Sequence, residues 1–367
     1  MCSSDLPGVV KDNWYNTMMF DFIVAELDRE IECEYATKIG ETTKETVIIL
    51  DGESATIAEL ASLNDATLED VYPTIKKAKE SDAPTFAYDT KSVVAPKTKV
   101  VRPKVLIPVF PGTNCEYDSA RAFERAGAEA EIVVIRNLTS DDVARSVDIV
   151  AEKIAESQII FIPGGFSGGD EPDGSAKFIT AFFRNPKIKE QVEKLLDERD
   201  GLMLGICNGF QALIKLGLVP YGKIIDTDAT CPTLSHNIIG RHQSKLVRTR
   251  VCTNKSPWLA GTSVGEIYTV PISHGEGRFL CDEALARQLA ENGQIATQYV
   301  DLDGNPSMDT AFNPNGSIFA IEGITSPDGR VLGKMGHSER IGDSLYKNVY
   351  GEYDMKLFES AVKYFNK

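Results

Sequence analysis

Two patterns in this 367-residue chain carry the makings of nucleophilic chemistry. The first is a cysteine between paired glycines, Leu204-Gly205-Ile206-Cys207-Asn208-Gly209-Phe210-Gln211. Residues 201–206 are a short apolar run of buried-strand type, and Phe210, Leu213, Ile214 and Leu216 then recur at helical spacing. The pattern predicts strand, sharp turn and helix with Cys207 at the turn, the thiol form of a nucleophile elbow. A thiolate there is favoured by the helix dipole and the free N–H groups of the first turn. A buried structural cysteine is the commoner fate of a free thiol. It does not account for the paired glycines or for the strand-to-helix break.

The second pattern is His-x-Glu, which occurs twice, at His274-Gly275-Glu276 and at His337-Ser338-Glu339. A cysteine nucleophile needs a base and a group that orients it. In extended chain, residues two apart point to the same side, so each glutamate is placed to reach its own histidine. A carboxylate on one ring nitrogen fixes the tautomer and leaves the other nitrogen for the thiol. Spacing does not say which pair does this. The remaining histidines, His236 and His242, have no acid at the same offset.

An oxyanion needs donors as well. Pro163-Gly164-Gly165-Phe166-Ser167-Gly168-Gly169-Asp170 opens a glycine-rich loop (163–174) after an apolar run. Its N–H groups are suited to a phosphate or a tetrahedral oxyanion. It lacks the lysine and hydroxyl of a P-loop and is not Gly-x-Gly-x-x-Gly. Beside a cysteine elbow one strand later it becomes an oxyanion partner, with the Asn208 N–H as the second donor.

These residues must be positioned by a scaffold, and the chain supplies one from residue 104. Strand patterns at 104–110, 131–135, 158–162 and 201–206 alternate with helical patterns at 116–126, 140–155, 176–184 and 187–199. Such alternation predicts an α/β fold, a parallel sheet wrapped on both faces in a three-layer sandwich. Ligands of such sheets sit at the carboxyl ends of the strands. Gly164-Gly165 and Cys207 both follow strand ends, so they should share one crevice. Beyond Gly217, strands are expected at 246–252, 266–272, 295–300 and 318–324, with helices at 282–292 and 354–365.

Ahead of this unit, residues 76–103 read as a linker rich in Lys, Ser, Ala and Pro. Residues 1–75 read as a small α+β fragment. Residues 18–27 are apolar without a clean period, 46–50 suit a strand, Asp51-Gly52 a turn and 57–63 a helix. That is little material for an independent core. The first six residues look arbitrary, as though the chain began inside a larger protein.

Composition narrows the function. A net charge of −15 argues against nucleic acid as a partner. No apolar run approaches the ~20 residues of a membrane span, and no signal peptide is visible. Seven cysteines without Cys-x-x-Cys spacing or a Cys/His cluster disfavour a disulfide framework and a zinc site, and suit a reducing cytoplasm. No metal is expected.

Taken together, these stretches resemble the class I glutamine amidotransferase family, and within it the glutaminase portions of phosphoribosylformylglycinamidine synthases. The resemblance rests on 109–115, 161–170, 204–211, 271–279, 313–317 and 331–340, in family order over residues 104–367, with Pro111-Gly112-Thr113-Asn114-Cys115 and His274-Gly275-Glu276-Gly277-Arg278-Phe279 the parts specific to the synthase. It implies Cys207 as nucleophile, His337 and Glu339 as the rest of the triad, and Gly165 and Asn208 as oxyanion donors. It implies a glutamine-binding wall of Gly164, Phe166, Gln211, His274, Gly275 and Glu276. It further implies L-glutamine as substrate and ammonia passed to a synthetase portion that aminates formylglycinamide ribonucleotide. That portion would use ATP and Mg2+, with no cofactor in the glutaminase itself. Residues 1–75 then resemble the tail of the ATP-binding half. One departure is plain: the familiar Pro-His-Pro-Glu-Arg reads Gly336-His337-Ser338-Glu339-Arg340, so the rigid prolines are lost. Two rivals are another cysteine hydrolase on the same fold and a non-catalytic docking module. The first usually places its histidine soon after the elbow, and the second has no need of an intact Cys, His and Glu.

Overall fold

The strand, turn and helix around Cys207 form as their pattern predicts in the computed structural model, which describes residues 9–10, 25–32, 36, 38–71, 83–90, 94–167, 175–342 and 345–366. The opening hexapeptide, residues 18–24, residues 76–82 of the expected linker and residues 168–174 of the glycine-rich loop lie outside these. The chain divides into two units, 1–74 and 75–367.

In the first unit β1 (Val9–Val10) pairs in parallel with β2 (Val47–Leu50), which pairs antiparallel with β3 (Glu53–Thr56). Asp51 and Gly52 turn the hairpin with φ of 51° and 87°, the signs a two-residue type I′ turn requires. Helix α1 (Ile57–Ala66) follows. Thr56 Oγ1 accepts from the Glu59 N–H at 3.1 Å and Glu59 Oε2 accepts from the Thr56 N–H at 2.9 Å, a capping box.

The second unit runs β4 (Lys104–Val109), α2 (Glu116–Arg125), β5 (Glu129–Val134), α3 (Ser140–Glu156), β6 (Ile159–Ile162), α4 (Lys177–Phe183), α5 (Pro186–Glu193), β7 (Leu202–Ile206) and α6 (Asn208–Leu216). It continues with α7 (Leu218–Tyr221), β8 (Thr233–His236), β9 (Gln243–Val251), β10 (Ile267–His274), β11 (Glu276–Leu280), α8 (Glu283–Glu291), β12 (Ile295–Tyr299), β13 (Ile321–Thr325), β14 (Val331–Lys334) and α9 (Leu357–Asn366). Nine strands form one sheet in the order β10-β9-β12-β13-β14-β7-β6-β4-β5. From β14 to β5 every pairing is parallel, as the alternation predicted. From β14 to β10 every pairing is antiparallel, so the sheet is mixed.

Both faces of the parallel half are covered. Phe161 on β6 packs its ring edge-on to Phe123 of α2 and close to Phe358 of α9. The next residue, Ile162, must face the other way, and there it meets α6 at Gly209. β6 and β7 are buried along their whole length, as strands covered on both faces must be. Residues 83–90 and 94–103 belong to this unit. The Tyr88 N–H donates to the Cys252 carbonyl, the Val100 N–H to the Phe365 carbonyl, and the Phe86 N–H to Gln298 Oε1. No helix among the described residues is long and apolar enough to cross a membrane.

The glycines that flank Cys207 are explained by contact. A Cβ on Gly205 would lie 2.6 Å from the Gly209 carbonyl oxygen, and one on Gly209 would run into the Ile162 carbonyl. Helix propensity alone favours Gly209→Ala by about 1 kcal/mol. The collision reverses that sign, because overfilling a packed site costs about 1–3 kcal/mol. Gly209→Ala is therefore expected to lower stability in thermal or urea unfolding, whereas a gain would show that α6 and β6 are not in such close contact.

Candidate active site

Cys207 is the first residue past β7 and the N-cap of α6, with φ 54° and ψ −106°. A non-glycine residue in this region is strained and persists only where its surroundings hold it. Here they do. The Cys207 N–H donates to the Lys334 carbonyl on β14 at 2.9 Å, and its carbonyl accepts from the Gln211 N–H at 3.0 Å. The side chain is buried, and Sγ points to the Ser273 carbonyl at 3.7 Å. Burial, with Cys115 and Glu339 adding to it, pushes the thiol up to about 12. The Asn208 N–H and Arg340 oppose that shift. The resting sulfur is thus a thiol and needs a base to become a nucleophile.

The neighbouring parallel strands end beside it. After β14 come Met335 to Arg340, where His337 Nδ1 meets Glu339 Oε1 at 2.6 Å with both residues 1% exposed. The His337 N–H donates to the Pro271 carbonyl at 2.9 Å, which fixes the ring's root. His337 Nε2 has no hydrogen-bond partner. After β6 come Pro163, Gly164 and Gly165. A Cβ on Gly164 would lie 2.7 Å from His337 Cε1, 3.2 Å from Cys115 Sγ and 3.4 Å from Cys207 Cβ. The ring of His337 and the Cβ of Cys207 thus both border the same glycine, where any side chain would strike the imidazole.

Gly165 forms an antiparallel bridge with Thr113. The bridge uses the Phe166 N–H to the Gly112 carbonyl and the Asn114 N–H to the Gly164 carbonyl, which leaves the Gly165 N–H outside it. Its φ of 138° and the closeness of the Thr113 Cα, 2.7 Å from a hypothetical Cβ, both demand glycine. The Asn208 N–H heads α6, where no carbonyl one turn back can accept it. The Asn208 side chain ties the two donors' segments together, accepting from Ser167 N–H at 3.2 Å and Oγ at 2.6 Å. It also donates to Gln211 Oε1 at 2.8 Å, while Gln211 Nε2 donates to the Glu276 carbonyl at 2.5 Å. Phe166 remains partly exposed, its ring 5.9 Å from that of His242.

The second His-x-Glu is built differently from its spacing-based expectation. Gly275 separates β10 from β11, which pairs with β8 outside the main sheet, so the alternation of one strand does not carry across. His274 Nδ1 pairs with Asn237 Oδ1 at 3.1 Å, not with Glu276. Glu276 Oε2 accepts from the Ser175 N–H at 3.1 Å, and Oε1 lies 3.6 Å from His236 Nδ1. Burial first, then His337 and His242, push His274 down to about 3, so its ring is neutral. Of the two His-x-Glu pairs, it is His337 and Glu339 that form a dyad within the pair.

Sequence reasoning gave no role to Cys115 or Arg340. Cys115 ends the Pro-Gly-Thr-Asn-Cys stretch after β4. Its Sγ donates to Asn114 Oδ1 at 3.0 Å, accepts from Arg340 Nη2 at 3.0 Å and lies 3.9 Å from His337 Nδ1. Burial pushes this thiol up to about 11. Cys115, His337 and Glu339 form the one group among the described residues whose ligand atoms could share a metal ion. A cation there would compete with the Arg340 guanidinium on the same sulfur.

Comparison with known proteins adds to this geometry. Residues 102–365 match the model of the CobB/CobQ-like glutamine amidotransferase domain. The chain is 36% identical over 295 residues to phosphoribosylformylglycinamidine synthase subunit PurQ of Methanococcus maripaludis strain S2, covering 73% of this chain and 99% of that protein. The counterpart from strain C7 is 35% identical with the same coverage. Among solved structures, a chain in that of PurLQS from Thermotoga maritima matches with a TM-score of 0.51 and 28% identity, over 72% of this chain and 99% of that one.

The depressed His274 has a consequence for stability. Its folded value of about 3 lies below the ordinary 6.5, so the unfolded chain takes up the proton first. The neutral ring's contribution is complete above pH ~6.5 and is lost as pH falls towards 3, by up to about 2 kcal/mol at pH 5. His274→Gln is expected to lessen the loss of stability between pH 7.5 and pH 5 in denaturant titrations. An equal loss in both proteins would show that His274 takes up no unfolding-linked proton.

Proposed function

We propose that this chain, which belongs to the CobB/CobQ-like glutamine amidotransferase family, is the glutaminase of a phosphoribosylformylglycinamidine synthase. The observation that carries the reading is the buried His337–Glu339 dyad, which borders Gly164 together with Cys207. The Cys207 sulfur attacks the side-chain amide carbon of L-glutamine. Its proton passes to His337 Nε2, the ring atom left without a partner. Glu339 on Nδ1 holds the tautomer and stabilises the imidazolium. The Gly165 and Asn208 N–H groups receive the oxyanion. His337 then protonates the departing ammonia, leaving a glutamyl thioester on Cys207. Water, deprotonated by His337, attacks the thioester; glutamate leaves and the thiol is restored.

Gly164, Phe166, Gln211, His274, Gly275 and Glu276 form the wall on which glutamine lies. The hydrogen bonds of Gln211 and Glu276 support this, since they join the elbow helix to that wall. Residues 104–367 are the glutaminase domain, 76–103 the connecting segment and 1–75 the tail of an ATP-binding synthetase domain. The ammonia serves ATP- and Mg2+-dependent amidation of formylglycinamide ribonucleotide by a synthetase partner, in the cytoplasm. The relatives' designation as a synthase subunit supports such a partner.

Ammonia release from glutamine, with and without an added synthetase portion, tests this. Cys207→Ala should abolish it. His337→Ala should lower it by about 10²–10⁴-fold, the range for loss of a general base. His274→Ala should cost far less, and the reverse ranking would reject the assignment of the base. A glutamine-analogue electrophile such as diazo-oxo-norleucine should label Cys207, and failure to label would favour the docking-module alternative.

A further inference from the structure

The histidine loop lacks the prolines of the related motif, yet its geometry is held. Gly336, free of a side chain, has the widest choice of backbone conformations. In this protein both of its peptide groups are taken by charged side chains. Its N–H donates to Glu322 Oε1 at 2.6 Å, and its carbonyl accepts from Lys334 Nζ at 3.0 Å. Lys334 Nζ and Glu322 Oε1 are 3.2 Å apart, and both residues are 1% exposed. Glu322 Oε2 accepts in turn from Thr297 Oγ1 on β12.

The space around Gly336 matches this arrangement. A Cβ there would lie 3.1 Å from both Glu322 Oε1 and Lys334 Nζ, and 2.5 Å from Val270 Cγ1. Lys334 also reaches the other side of the site, because its own carbonyl holds the Cys207 N–H. A buried ion pair is weak evidence for stability, since apolar residues of similar volume often replace one without loss. Both charges here instead converge on the single residue that precedes His337.

Building on the glutaminase reading, we propose that Lys334 and Glu322 are positioning residues: a buried ion pair that clamps Gly336 and so sets where His337 stands relative to Cys207. The clamp takes over the stiffening that proline supplies in the related motif. It acts through His337 and touches no substrate.

Two double variants test this. Lys334→Met with Glu322→Leu removes both charges and both contacts to Gly336. Lys334→Met with Glu322→Gln removes the charges but keeps an acceptor for the Gly336 N–H. Three quantities are read: melting temperature, kcat and KM for glutamine hydrolysis, and the pH dependence of Cys207 alkylation by iodoacetamide, followed on the Cys207 peptide by mass spectrometry. The Leu variant should stay folded, lose at least tenfold in kcat with KM within about threefold, and shift its alkylation midpoint upwards. The Gln variant should recover at least threefold of that kcat yet stay at least twofold below the unaltered protein, since the Lys334 contact to the Gly336 carbonyl is gone.

A folded Leu variant with kcat and alkylation profile within twofold of the unaltered protein overturns the proposal. So do losses that merely follow melting temperature across the pair. If the Leu variant does not fold, the Gln variant is read alone, and an unaltered kcat and profile in it overturn the proposal equally. Absence of glutamine turnover in the unaltered protein counts against the glutaminase reading, and the alkylation profile, which needs no turnover, still judges the clamp.

Discussion

The Cys207 N–H to Lys334 carbonyl bond continues the parallel pairing of β7 with β14, and the site depends on that register. It sets Cys207 and the histidine loop side by side at strand ends that point the same way. β6, the other neighbour of β7, adds the glycine loop, and β4 beyond it adds Cys115. Four adjacent parallel strands thus each bring one part of the site to a common edge. Slipping one strand by a residue would turn its side chains to the opposite face, and His337 would no longer face the sulfur.

Close approach is the second constraint. Gly164 separates imidazole from cysteine, and Gly205 and Gly209 let α6 lie against β6 and β7. Each is a site where a methyl group would strike backbone or a ring. The positive φ of Cys207 and Gly165 belongs to the same geometry, since both residues sit where the chain leaves a strand at a sharp angle. Strain at these points is balanced by the burial of β6 and β7, which carry the densest apolar runs of the chain.

Much of this was legible in the sequence, and unevenly so. The elbow was readable because a tight strand-to-helix turn at a cysteine demands glycine at plus and minus two, where helix and strand touch. The parallel half was readable because β4, β6 and β7 hold apolar runs between amphipathic helices. The antiparallel half was less so. β13 and β14 each carry a buried charge, Glu322 and Lys334, where periodicity expects an apolar residue. β8 and β11 are short and polar, and neither announces itself as a strand. The two His-x-Glu pairs were indistinguishable by spacing, because a one-residue break at Gly275 leaves no mark in the residue pattern. Cys115 and Arg340 meet only in three dimensions, from stretches more than two hundred residues apart.

The place of β14 in the sheet bears on how the protein is made. Residues 331–334 fill the slot between β13 and β7, and they are made more than a hundred residues after β7. Until then β7 offers an unpaired, wholly apolar edge, the kind of surface that invites pairing with another chain. Over the same interval the elbow cysteine has neither its backbone partner nor its imidazole. A chain made only as far as β7 thus exposes a sticky edge, and one late strand both covers that edge and supplies the carbonyl that holds Cys207.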